Sequence, residues 1–140
     1  MRTSEELNDL RRIWLFSGCS QDELRKVKRV IEEVTVPAGT LLVREGEPGL
    51  LFFIVREGRA TVARSRQVIA SLGPGDFFGE LALLDNQPRF ATVTSDTEMT
   101  LLIIRRRHFQ RVLDATPTLA RKLLRSTADR LRAVDKLADR

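Results

Sequence analysis

The sequence predicts an α+β domain that is mainly β: an antiparallel β structure flanked by N-terminal helices and a long C-terminal helix. Three observations carry this expectation. Between Val34 and Ile104, short apolar runs are separated by Gly- or Pro-bearing turns every 8–12 residues, the spacing of antiparallel strands. On either side of that stretch, apolar residues recur at helical spacing behind capping residues. The length of 140 residues, 42% of them hydrophobic, suffices for one core; such a chain buries about 68% of its unfolded surface without help from metal or disulfide.

Residues 1–33 read as an N-terminal helical segment. Thr3-Ser4-Glu5-Glu6 has the form of a capping box, with Thr3 at the N-cap and Glu6 three residues on. Leu7, Leu10, Ile13 and Trp14 follow at helical spacing, and Gly18 ends the run. Trp14, Leu15 and Phe16 are the apolar edge that docks the segment. Ser20-Gln21-Asp22-Glu23 is a second capping box, leading into Leu24, Val27, Val30 and Ile31.

Residues 34–104 are the β region. Val34 and Val36 precede the turn Pro37-Ala38-Gly39. Leu41–Val43, Phe52–Val55, Ala60–Ala63 and Val68–Leu72 follow, with a hairpin near Ser65-Arg66 and a closing turn at Gly73-Pro74-Gly75-Asp76. A second set spans Ala91–Val93 and Met99–Ile104. Between the sets, Phe77–Leu84 favours helix, being rich in Leu and Ala. Residues 105–140 return to helical periodicity. Thr116-Pro117 divides them, with Thr116 as N-cap and Pro117 at the first position of a helix over about 118–137. Leu124, Leu131 and Ala138 are seven apart, with Thr127 and Val134 between them, so this helix has a two-heptad seam suited to a homodimer.

Composition excludes several classes. The longest apolar run, Leu50–Val55, is six residues, far short of the ~20 that span a membrane. Met1-Arg2 leads into polar residues with no apolar signal core. Cys19 is the single cysteine, which fits a reducing, cytoplasmic setting and reads as a turn residue. With one histidine, His108, there is no multi-Cys/His metal site and no assisted nucleophile, so the chain reads as a non-enzyme without a cofactor. The net charge of +5 is uneven: residues 1–100 carry −2 and residues 101–140 carry +7. Arg105-Arg106-Arg107 is the densest basic cluster; it reads as a solvated corner or as a contact for DNA, a membrane surface or an acidic partner.

One constellation carries chemistry. A glycine that opens a short helix lets backbone N–H groups approach an anion, and an arginine fork meets two phosphate oxygens. Gly79, at the head of Gly79-Glu80-Leu81-Ala82, and Arg89, in Pro88-Arg89-Phe90-Ala91-Thr92, supply both. Glu80 repels phosphate, so its carboxylate suits a sugar hydroxyl and neutralises the arginine. The plainer alternative is an ion pair between Glu80 and Arg89 across a loop.

The flanking residues favour the site. Phe78-Gly79-Glu80-Leu81-Ala82-Leu83-Leu84, three variable residues, Pro88-Arg89, one residue and Ala91-Thr92-Val93 resemble the phosphate-binding cassette of the cyclic nucleotide-binding domain family. Pro37-Ala38-Gly39, Arg44–Gly49, Phe52–Val55, Gly58 and Leu72–Phe78 extend the resemblance over most of the chain. The resemblance implies an eight-stranded antiparallel β-roll, a jelly roll or double-stranded β-helix, with the cassette at 78–92. It implies a cyclic phosphate held by Arg89 and by backbone N–H groups around Leu81, Ala82 and Ala91. Glu80 takes the ribose 2′-OH, and the C-terminal helix closes over the base, with Arg130, Leu131 and Val134 as lid residues.

The sequence departs from the family at Phe90, where a small residue is common and Thr accompanies cGMP preference. Phe has no hydroxyl for guanine, so the ligand expected is cAMP ahead of cGMP. Three placements are open to Phe90: stacked on the purine, turned to solvent, or filling part of the pocket. The function implied is a cyclic nucleotide sensor acting on a fused or separate effector. The alternative is a degenerate interaction or dimerisation module that binds no nucleotide. The chain ends at Arg140, leaving no room for the helix-turn-helix of catabolite activators, so no DNA binding by this chain is expected.

Overall fold

The computed structural model describes residues 2–138. They form two compact units, one of residues 30–110 and one of residues 2–29 with 111–138.

The first unit holds eight strands: β1 (Ile31–Val36), β2 (Leu41–Val43), β3 (Leu51–Glu57), β4 (Ala60–Arg64), β5 (Gln67–Leu72), β6 (Phe77–Phe78), β7 (Thr92–Ser95) and β8 (Met99–Arg105). They pair antiparallel in two four-stranded sheets, ordered β1-β8-β3-β6 and β2-β7-β4-β5. This is the β-roll that the sequence predicts. β3 and β8 lie inside their sheet and are apolar on both faces, so their runs read Phe-Phe-Ile-Val and Leu-Leu-Ile-Ile rather than alternating. One face of β3 enters the core of Phe53, Val55, Val93, Met99, Leu101 and Ile103. Phe53 and Phe78 stack there, with centroids 4.6 Å apart. On the other face, Phe52 meets Phe77 and Phe109. The β4–β5 hairpin turns through Ser65 and Arg66, both at positive φ, as a two-residue turn of this hand requires. The Ser65 N–H is held by Glu45 at 2.8 Å.

Two expectations change here. Ile31–Glu33, assigned to the helical segment, open β1 and pair with Ile104, Ile103 and Leu102. Phe77-Phe78, read as helix, form β6 against Ile54 and Phe53; an open sheet edge overrides local propensity. The helix after them, α3 (Glu80–Asp85), is correspondingly shorter.

The second unit contains α1 (Arg2–Arg11), a 3₁₀ turn (Trp14–Phe16), α2 (Gln21–Lys28) and α5 (Pro117–Ala138), together with the later residues of α4 (Arg106–Ala115). Leu7, Leu10, Leu15, Phe16, Leu24, Val27, Leu119 and Leu123 are buried. Among the described residues no helix is long and apolar enough to cross a membrane.

The capping box at Ser20 forms in full: Ser20 Oγ accepts from the Glu23 N–H, and Glu23 accepts from the Ser20 N–H. Glu23 also accepts from the backbone N–H and hydroxyl of Thr118, so one carboxylate ties the starts of α2 and α5. Ser20→Ala should therefore cost about 1 kcal/mol, read as a lower denaturant midpoint at unchanged slope. Thr3 departs from expectation: it lies inside α1, which begins at Arg2. Pro117 opens α5 with Thr116 just before it, as expected, and the Ala120 N–H donates to the Thr116 carbonyl; the Thr116 hydroxyl turns back to the Val112 carbonyl. On the seam of α5, Leu124 is exposed and the Thr127 hydroxyl donates to the Leu123 carbonyl. The side chains of Leu131, Val134 and Ala138 lie outside the described residues.

Candidate functional site

The site is built where β6 gives way to α3. Gly79 makes the junction at φ +94, a conformation that costs other residues a Cβ clash. Asn86 ends α3 in the same left-handed region. The chain then returns through Pro88 to Arg89, whose backbone is locked to the β2–β3 loop: Arg89 N–H donates to the Glu47 carbonyl at 2.7 Å, and Gly46 N–H donates to the Arg89 carbonyl at 2.9 Å.

The Arg89 side chain is 7% exposed. Its Nη1 donates to the Gly79 carbonyl at 3.0 Å and its Nη2 to the Leu51 carbonyl at 2.6 Å. These bonds use two of the five N–H donors of the guanidinium. Two glycines make room for it. A Cβ on Gly79 would stand 2.6 Å from Nη1, and one on Gly49 would stand 3.3 Å from Cζ and 2.4 Å from the Ala82 Cβ. Glu80 is buried beside it at 2% exposure. Burial pushes the Arg89 guanidinium below its ordinary value, and the charge of Glu80 acts in the opposite sense. A buried cation beside a buried carboxylate, its fork oriented by backbone carbonyls, has the chemistry to take an anion next to one acidic neighbour.

The structure distributes the remaining predicted residues unevenly. Ala82 and Ala91 are buried at the cassette. Phe78 points into the β core against Phe53, so it offers the site its backbone alone. Leu81 lies in the first turn of α3, and its side chain is outside the described residues. Phe90 is half exposed, with the Arg64 guanidinium 3.8 Å over its ring centroid. Half of its surface is open to solvent, so it does not fill the pocket. Arg130 and Val134 lie on α5, in the other unit; Arg130 is exposed, and the Val134 side chain is outside the described residues.

Three contributors carry no signal at sequence level. Leu51 acts through its carbonyl, which any residue supplies. Gly49 looks like a loop glycine until its contact with Arg89 is seen. Arg64, over the Phe90 ring, belongs to no motif of the sequence. The basic cluster is tied into the fold: Arg105 pairs with Glu32 at 2.8 Å, and Arg107 donates to His108 at 3.2 Å. Arg106 donates to the Gly49 carbonyl at 3.0 Å and to the Asn86 side chain.

Comparison with known proteins agrees with this geometry. The family model described as the cyclic nucleotide-binding domain matches residues 33–116. A cyclic nucleotide-gated potassium channel of Mesorhizobium japonicum is 40% identical over 114 residues, covering 81% of this chain and 31% of the channel. A cAMP-dependent protein kinase regulatory subunit of Yarrowia lipolytica is 36% identical over 106 residues, 74% of this chain and 28% of the subunit. The chain thus spans about a third of the length of such relatives. Among solved structures, a cAMP-bound kinase regulatory chain, PfPKA-R, superposes with a TM-score of 0.84 at 27% identity, over 97% of this chain and 47% of that one. The catabolite activator protein of Thermus thermophilus gives 0.82 at 28% identity, over 89% and 61%. With the two-sheet roll, the Gly79–Arg89 junction and a family match across more than half of its length, this chain belongs to the cyclic nucleotide-binding domain family.

Proposed function

We propose that the chain is a non-enzymatic cytoplasmic sensor that binds cAMP, ahead of cGMP, and passes its occupancy to an effector through the C-terminal helix. The observation that carries this reading is the buried Arg89 guanidinium, seated between Gly49 and Gly79 with Glu80 buried beside it. In the bound state Arg89 meets the cyclic phosphate, and backbone N–H groups around Leu81, Ala82 and Ala91 share that charge. The Glu80 carboxylate accepts the ribose 2′-OH.

Coupling needs one condition. The nucleotide must bind more tightly when α5 is in one position than in another, because only differential affinity shifts a population. Arg130 and Val134 are the α5 residues that would supply the difference, and the exposed seam position Leu124 suits a homodimer or a docked effector. The effector is either fused to this domain or separate from it.

Melting curves in buffer, cAMP and cGMP test the reading. Ligand at 100 times its Kd stabilises the folded state by about 2.7 kcal/mol, so cAMP should raise the melting temperature at lower concentration than cGMP does. A melting temperature unmoved by millimolar amounts of either nucleotide would favour the degenerate module instead.

A further inference from the structure

Arg64 ends β4 beyond the Ala63–Thr92 pair and so stands next to Ala91 and Phe90, one strand away from the cassette arginine. Its guanidinium carbon lies over the Phe90 ring at 3.8 Å from the centroid, within the range of a cation–π contact, in which a guanidinium stacks on an aromatic face. Both side chains are exposed, so the stack is not a core contact. It is carried on a stiff base: Ser65 and Arg66 close the hairpin at positive φ, and Glu45 fixes the Ser65 N–H.

The direction of a bound nucleotide follows from the cradle. Gly79, Gly49 and the Leu51 carbonyl lie against the Arg89 guanidinium on its inner sides. A phosphate on Arg89 and a ribose on Glu80 leave the base to project away from these atoms. The exposed side chains that follow Arg89 along the chain and across the strand pair are Phe90 and Arg64. Purines stack well on guanidinium planes as on aromatic rings.

We propose that Arg64, held flat by Phe90, is the shelf on which the purine base of the bound nucleotide stacks, which makes Arg64 a specificity-determining residue of this domain. Phe90 then acts through Arg64 and does not itself touch the base. This inference rests on the cyclic nucleotide reading above and adds the contact that reads the base. The stack strengthens on binding, because the purine removes water from the second face of the guanidinium.

Two substitutions separate a planar shelf from a mere positive charge. Arg64→Ala removes both, whereas Arg64→Lys keeps the charge and removes the plane. By calorimetry, each should weaken cAMP binding about tenfold, the loss of one stacked base. Phe90→Ala should follow them, since it frees the shelf. Cyclic CMP, whose smaller pyrimidine stacks less, should lose less than cAMP in each variant. Arg64→Lys binding cAMP like the parent would overturn the proposal, as would equal losses for cAMP and cyclic CMP. Arg64 is exposed, so nucleotide-free melting temperatures should stay at the parent value and show that the fold is intact. If the parent itself binds neither nucleotide, the sensor reading fails first, and that outcome is distinct from a parent that binds while its Arg64 variants are indifferent.

Discussion

Arg89→Ala is expected to weaken cAMP binding by about 2–5 kcal/mol, or roughly thirty-fold to several-thousand-fold. The reason is the setting of the side chain. At 7% exposure, the guanidinium has already lost its water, so a phosphate docking on it gains the full charge-assisted contact and little solvent competes. Truncation leaves that phosphate facing Glu80 with no counter-charge. It also orphans the Gly79 and Leu51 carbonyls, so the variant should melt somewhat below the parent without ligand. Arg89→Lys retains a charge, but a single ammonium cannot reproduce a planar fork that spans both carbonyls, and an intermediate loss is expected. Titration calorimetry decides the matter: unchanged cAMP affinity in Arg89→Ala would falsify the assignment of this residue to the phosphate.

The second large effect is expected from Gly79→Ala, read first as stability. At φ +94 the added methyl costs about 1–2 kcal/mol in backbone strain alone. It also lands 2.6 Å from Arg89 Nη1 and 2.8 Å from the Leu51 carbonyl oxygen. The arginine tip can move, but the carbonyl belongs to β3 and cannot follow. The sum should reach about 3 kcal/mol or more, because crowding adds to the strain. Gly75→Ala is the control: its φ is +92 and nothing lies within 4 Å of the added carbon, so it bears the strain alone. Chemical denaturation of the two variants side by side isolates the crowding. Equal losses would show that Gly79 matters for its backbone angle and not for the seat that it leaves to Arg89. Any Gly79→Ala protein that still folds should bind cAMP poorly, since its arginine must leave the Gly79 carbonyl.

What could be read from the sequence, and what could not, follows from where the information resides. Glu80 and Arg89 were legible because side-chain chemistry and a fixed register specify them. The Ser20–Glu23 box was legible because both halves of it are local. Phe77-Phe78 misled because the residues after them are good helix formers; the pairing with Phe53 and Ile54 that decides their state lies over twenty residues away. Ile31–Glu33 misled for the same reason, since their partners are on β8. The seat of Arg89 was invisible because two of its walls are a carbonyl and an absent side chain. Arg64 was invisible because its meaning depends on a ring that it meets only after the β4–β5 hairpin has folded.

The single cysteine has a practical consequence for watching this domain at work. Cys19 is buried, and that burial, followed by the charge of Glu23, raises its thiol pKa, so little reactive thiolate is present near neutral pH. Cys19 is the single cysteine of the sequence, so maleimide reagents meet no competing exposed thiol. A cysteine introduced at an open position of the long helix, such as Leu124, will accept one fluorophore or spin label on an otherwise native chain. Distance spectroscopy can then follow the helix as nucleotide is added, with no need to rebuild the protein as a thiol-free background.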